Sequence, residues 1–301
     1  MSTITTGSFA KALYPGVNTW YGKAYNDFQT EFDKIFDKKT SRRAWEEDVS
    51  VSSFGMAVIK GEGAPITYDT EQQGFLDRYS HVEYALGFII TRNMYEDDLY
   101  DVVGERKAKA LARSIRHVKE YIGANVLNRA FNSSYTFGDG QQLIDNDHPN
   151  VAGGTWSNRP TTFADISEAS LEQAVIDLGK YTDDRGLKIA VKAKSLIVPV
   201  DLDFEVNKIL KTEYEVGTAN NTVNVVRGRF PGGVVINHWL TDTDAWFIKT
   251  DVDNGLKYYE RRADAFGMDN DFDTDNAKFK VTSRFSFGAS DKKALYGSQG
   301  A

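Results

Sequence analysis

Residues 97–132, DDLYDVVGERKAKALARSIRHVKEYIGANVLNRAFN, constrain the fold more than any other stretch of the chain. They hold no proline and only two glycines. Leu111, Ile115, Val118, Ile122 and Val126 recur at steps of three and four, which sets them on one helical face. Asp97 and Asp98 stand where a helix start favours negative charge. A helix over the whole stretch would be a rod of roughly 50 Å at about 1.5 Å per residue, several times the usual length. Such a rod needs something outside an ordinary compact core to run along. The spacing therefore points to a component of an assembly more than to a catalyst.

The rest of the composition fits that direction. With 301 residues, 41% hydrophobic and 26% charged, the chain is an ordinary globular sequence with room for about two domains. Aromatic residues, at 13%, are plentiful enough for sheet packing and large protein interfaces. There is no cysteine, which excludes disulfides and thiolate zinc sites. No apolar run reaches the ~18 residues that cross a bilayer, so no membrane partner is expected. The net charge is −7, with 36 basic residues dispersed among 43 acidic ones. A specific duplex binder would show a basic face; a wall that merely lines a DNA-filled space needs none.

Along the chain, residues 1–45 read as an arm with a helix. Trp20, Ala24, Phe28, Phe32, Ile35 and Phe36 have helical spacing, Asn18 or Thr19 offers a cap, and Gly7, Pro15 and Gly16 break what precedes. The pattern fits a plain amphipathic surface helix or an arm docking on a neighbour, with Trp20, Phe28 and Phe32 as its contacts. Residues 46–90 read as a long hairpin. Val49 and Val51 mark one limb, and alternation of Val82, Tyr84, Leu86, Phe88 and Ile90 marks the other. Its tip is Lys60, Gly61, Glu62, Gly63, Ala64 and Pro65, a turn cluster with too few apolar neighbours to build its own core. Phe137-Gly138-Asp139-Gly140 is a tight turn, and 167–184 is a second helix capped by Ser167. Residues 187–245 form an α/β lobe: strands at 189–191, 195–200 and 234–236, strand-like valines at 223, 225 and 226, and a short helix over 202–211. Strands return after Trp246, with a turn at Asp253-Asn254-Gly255 and a last strand through Phe279, Val281, Phe285 and Phe287.

Catalytic signatures are missing. His81, His117, His148 and His238 are far apart and none belongs to an HExxH motif. No GxSxG, P-loop or GxGxxG occurs. The acidic run Asp269 to Asn276 is reminiscent of a calcium loop. Counted from Asp271, however, Asn276 occupies the glycine position and Thr282 the bidentate one. No catalytic residue, cofactor or metal site is expected; the enzyme reading left standing is a hydrolase built on His148 and its acidic neighbours.

Several stretches together resemble one family. These are GFIITRNMYEDDLYD (87–101), NVLNRAFN (125–132), GDGQQL and HPN within 138–150, SLIVPVDLDFEVNKIL (195–210) and KFKVTSRFSFG (278–288). In that order they resemble the major capsid protein of tailed bacteriophages, and within it the Mu-like prophage major head subunit group. The resemblance implies an α+β, Hong Kong 97-type capsid fold. Its parts would be an N-terminal arm (1–45), an extended loop overlying a neighbour (46–84), a peripheral domain (85–186) with a spine helix (97–132), an axial domain (187–245), and returning peripheral strands (246–301). It implies self-assembly, as hexamers and pentamers, into an icosahedral shell around double-stranded DNA, in a virion assembled in the host cytoplasm. Portal, scaffold or protease, and decoration proteins are the further partners it suggests, and DNA would be touched only non-specifically. Some relatives carry a long N-terminal scaffolding segment. None precedes the arm here, so scaffold and protease are expected as separate proteins, or the segment as already removed. An encapsulin-like nanocompartment is the alternative with the same fold.

Overall fold

The computed structural model describes residues 10–27, 29–96, 100–214, 223–271 and 276–301. In chain order the elements are α1 (Ala10–Asp27), α2 (Phe32–Ile35), β1 (Asp37–Thr40), β2 (Trp45–Val51), β3 (Gln73–Ser80), β4 (Val82–Ile90), α3 (Arg92–Glu96), α4 (Tyr100–Asn128), β5 (His148–Pro149), β6 (Thr155–Trp156), α5 (Glu168–Gly179), β7 (Ala193–Pro199), α6 (Asp203–Lys211), β8 (Val234–Asn237), β9 (Trp246–Thr250), β10 (Leu256–Asn270), β11 (Ala277–Ala289) and β12 (Leu295–Ser298).

Two four-stranded sheets carry the architecture, one ordered β1-β10-β11-β4 and the other β12-β9-β7-β8. Alternation explains both. On β11, Phe279, Val281 and Phe285 are buried on one face while Lys278 and Lys280 stand outside. That face meets α4, where Leu111 and Ile115 are buried with Phe279 and Val281. The second sheet is covered on both sides. Ile197, Val235, Phe247 and Leu295 join Tyr258 and Phe285 of the first sheet in one core. Leu196, Val198, Trp246, Ile248 and Tyr296 face α5 and α6 in another. Double coverage is why the run at 195–200 carries no polar alternation. α5 starts at Ser167, whose hydroxyl accepts from the Ser170 N–H in a reciprocal capping box.

Several expectations are corrected. α4 is described over Tyr100–Asn128, 29 residues, or about 43 Å at the helical rise. Residues 129–132 leave it as turns, and Asp97 and Asp98 lie outside the described residues. α1 runs through Pro15 and Gly16 instead of beginning at Asn18, with Pro15 as its sixth residue, past the first turn where proline costs least. The helical spacing from Trp20 to Phe36 spans two helices, and Phe28 lies outside the described residues. The second limb of the hairpin is β3, not the 82–90 strand: β2 pairs antiparallel with β3, whereas β4 pairs with β11. The polar run at 69–77 therefore contains the start of a strand. Val223, Val225 and Val226 form no named strand; only Val226 is buried. β9 and β12 complete the sheet of the 187–245 lobe, so the returning segment is divided between both sheets.

Candidate assembly surfaces

The hairpin base is fastened by charge. The Lys257 ammonium pairs with Asp48, and Ser290 donates to the same carboxylate at 2.5 Å. Lys292 lies 2.5 Å from Asp77, with both side chains buried. The Gly138 N–H donates to Asp77 at 2.7 Å, and a Cβ on Gly138 would sit 2.2 Å from the Leu76 carbonyl oxygen, so only glycine permits this approach. Further out, Asp69 accepts from the N–H groups of Gly55 and Thr70, each at 2.8 Å, and Arg185 reaches its carboxylate at 3.3 Å. Those N–H donors, then Arg185, hold Asp69 below the usual carboxylate range.

Beyond this neck the chain finds little cover among the described residues. Met56, Val58, Ile59, Ile66 and Tyr68 are all exposed, Ile59 completely and Tyr68 to 90%. The tip, Lys60 to Pro65, is exposed throughout; a turn closes it through the Ala64 N–H to the Gly61 carbonyl, with Gly63 at φ 76°. Isolated exposed apolar residues are unremarkable, but a contiguous apolar stretch on a projecting loop marks a contact surface.

The helix face and the arm are placed differently. Leu111 and Ile115 are buried, and Val118, Ile122 and Val126 pack partly buried against the core. Phe32 is buried in its own chain, tilted on Tyr258 at 5.1 Å and edge-on to Phe287 at 5.5 Å, so it is not available to a neighbour. Trp20 packs partly buried with Leu111 and Ile115. Aromatic side chains at helical spacing fill a subunit's own core as readily as a partner's, and here the nearest apolar surface was internal.

Two buried polar sites escaped the sequence reading. Asp264 of β10 faces Lys119 of α4 at 2.8 Å and accepts from the Tyr25 hydroxyl of α1 at 2.5 Å. Burial alone would raise the Asp264 pKa, but Lys119 and the hydrogen-bond donors bring it below the ordinary value. Beside it, the Glu120 carboxylate accepts from the N–H groups of Glu31 and Phe32 at 2.7 and 3.1 Å, at the start of α2. Glu31 in turn accepts from the His238 backbone N–H at 3.0 Å and meets its Nδ1 at 2.5 Å. Burial, helped by the charges of Glu31 and Asp33 and opposed by the two N–H donors, pushes Glu120 up to about 7.

Linkage fixes the sign of that effect. A carboxyl whose folded pKa exceeds its unfolded one stabilises the fold fully below the unfolded value, and the contribution disappears as pH rises through the folded value. Glu120→Gln keeps an acceptor and cannot ionise. Its stability should therefore rise relative to the parent by about 1–3 kcal/mol between pH ~5 and pH ~8. Denaturant titrations of both proteins at the two pH values measure this, and a pH-independent difference would refute it.

The histidines are structural in their contacts. His148 is fully buried and stacked on Trp156; its Nδ1 meets Asp139 at 2.8 Å and its Nε2 meets Asn158 at 3.2 Å. These contacts tie the 138–158 loop together through His148. His81 lies between Ser41 and Ser286, and His117 is edge-on to Trp239. Among the described residues, no group of three or more His, Cys, Asp or Glu side chains is arranged to hold a metal ion. Part of the acidic run, 272–275, lies outside them. Among the described residues no helix is long and apolar enough to cross a membrane.

Comparison with known proteins supplies the context for these surfaces. The chain matches the family model described as phage capsid protein over residues 77–298. No curated protein sequence matches it. Among solved structures it is similar to the procapsid protein of bacteriophage JBD30, at 14% identity and TM-score 0.52, covering 97% of this chain and 75% of that one. It is similar to the capsid of a native GTA particle, at 16% identity and TM-score 0.52, covering 88% of each chain. A virus-like particle from Pyrococcus furiosus is similar at 12% identity and TM-score 0.50, covering 94% of this chain and 98% of that one. At such identities the structures speak for the fold, which is the α+β, Hong Kong 97-type capsid fold. With the family match spanning most of the chain, the conclusion is plain: the chain belongs to the phage capsid protein family.

Proposed function

We propose that this protein is the major head subunit of a tailed phage, assembling as hexamers and pentamers into an icosahedral shell around double-stranded DNA. The observation that carries this reading is the loop at 56–68, whose apolar side chains are exposed in a single copy. Laid on an adjacent subunit, each buried side chain among Val58, Ile59 and Ile66 contributes about 1.5–3 kcal/mol. Many such modest contacts close a shell far stronger than any one of them. In this reading 46–84 is the extended loop, α4 the spine of a peripheral domain, and the 187–245 lobe the axial domain around a capsomer centre. The stretches at 87–101 and 195–210 support assigning it to the Mu-like prophage major head subunit group. Assembly would take place in the host cytoplasm, with portal, scaffold or protease, and decoration proteins as further partners. The role is non-enzymatic: His148 has both ring nitrogens engaged in a buried cluster.

Negative-stain microscopy of the purified protein, alone and with the proteins encoded beside it, tests the proposal. Closed, uniform particles are expected. A monomer under both conditions would defeat it. The nanocompartment alternative predicts particles filled with an enzyme and free of DNA.

A further inference from the structure

α6 separates two surfaces of opposite charge. On one flank a groove of about 720 Å³ lies between the start of α5 and α6. Its floor includes Ile166 and Ile209, and Phe204 stands over it 86% exposed. Glu168, Glu172 and Glu205 line it, with Lys208 as the one cation among its lining residues. One carboxylate oxygen of this Glu168 is buried and accepts no hydrogen bond among the described residues, an arrangement that is costly unless something donates to it.

The other flank carries Asn207 and Leu210, with Lys211 on the boundary between the two, one i,i+7 repeat beyond Phe204. Against it lies the strip Val223–Arg229. The Asn224 amide fixes this strip to α6 by donating to the carbonyls of Ile209 and Thr212, and Val226 anchors it in the core. Val223 and Val225 remain exposed, as do Arg227 and Arg229. The strip is thus apolar and basic where the groove is apolar and acidic.

We propose that the acidic groove of one copy receives the Val223–Arg229 strip of the next, head to tail, so that successive copies close a ring. The inference rests on the shell reading and names the surfaces that join the lobes. An arginine guanidinium supplies the donor that Glu168 lacks, and the two valines cover Phe204. A two-fold contact centred on the groove would set glutamates against glutamates, which is repulsive, and a reciprocal two-fold exchange of groove and strip would stop at a dimer and give no crosslinked ladder beyond it. Surfaces on opposite flanks of one helix instead let each copy serve two neighbours at once, the condition for a closed heterologous ring.

The test uses charge reversal and crosslinking in the full chain. Arg227→Glu with Arg229→Glu should lower particle yield at least tenfold with an unchanged melting temperature. Adding Glu168→Lys and Glu172→Lys to the same chain should restore most of it. The chain has no cysteine, so a Phe204→Cys, Val225→Cys variant can crosslink only through the introduced pair. Mild oxidation should give a ladder of covalent multimers. Undiminished yield from the reversed arginines, a loss the fourfold variant does not recover, or particles without a ladder would overturn the pairing and leave the shell reading standing. Neither particles nor ladder would overturn both.

Discussion

Asp264→Ala should cost about 3–5 kcal/mol of folding stability, the usual penalty for leaving a buried charge without its partner. The Lys119 and Asp264 side chains are only 4% and 5% exposed, and they join α4 to β10 at 2.8 Å. Tyr25 brings α1 into the same site, with its ring under the Arg116 guanidinium at 3.6 Å. The backbone cooperates: the β10–β11 register shifts on both sides of Arg262, and Asp264 falls in the irregular stretch where a strand can re-aim a side chain. Because the Asp264 pKa is depressed, its contribution is present at neutral pH and disappears as pH falls through the folded pKa. Urea titrations at pH 7 measure the loss. The double variant Asp264→Leu, Lys119→Met should recover most of it, since an apolar pair removes both charges. A loss below about 1 kcal/mol in the single variant would mean water reaches Lys119 freely. Limited proteolysis should also release α1 faster from Asp264→Ala, because one of its polar ties is gone.

How far the sequence disclosed all this depends on what each residue answers to. The apolar face of α4 was legible because local periodicity and tertiary burial agree there. The buried run at 195–199 was legible for the same reason, while Val200, read as its continuation, is exposed. The hairpin partner was misread because β4 alternates more cleanly than β3. Alternation reports which face is buried, not which strand is adjacent, and β4 finds β11 nearly two hundred residues away. Phe32 gave a true signal of burial and no signal of whose core would bury it. Lys119, Glu120 and Asp264 were invisible for a deeper reason. A charged residue is expected at the surface, and only the convergence of α1, α4 and β10 turns these three into interior groups. The exposed tip was legible in outline, since glycines and a proline between polar residues announce a turn.

Deleting residues 58–68 should leave a folded subunit and abolish closed particles. The neck that orients the loop survives the deletion: Gly55, Asp69, Thr70 and Arg185 keep their mutual hydrogen bonds. Within the deleted stretch, the Ala64 to Gly61 turn is the hydrogen bond described between its own residues. Val58, Ile59, Ile66 and Tyr68 lie exposed and contribute little to the isolated fold. The melting temperature should therefore shift by no more than a few degrees. In the shell the arithmetic differs. If adjacent copies bury even part of this surface, each contact loses about 2–4 kcal/mol, roughly thirty- to a thousandfold in its equilibrium constant. Because closure multiplies contacts, assembly should fall below detection by sedimentation. Ile59→Asp, which leaves the loop its length and places a charge at its most exposed apolar position, should reproduce most of the defect. Normal particles from either variant would mean that this surface is covered by nothing in the assembled state, and the role assigned to the loop would have to be withdrawn.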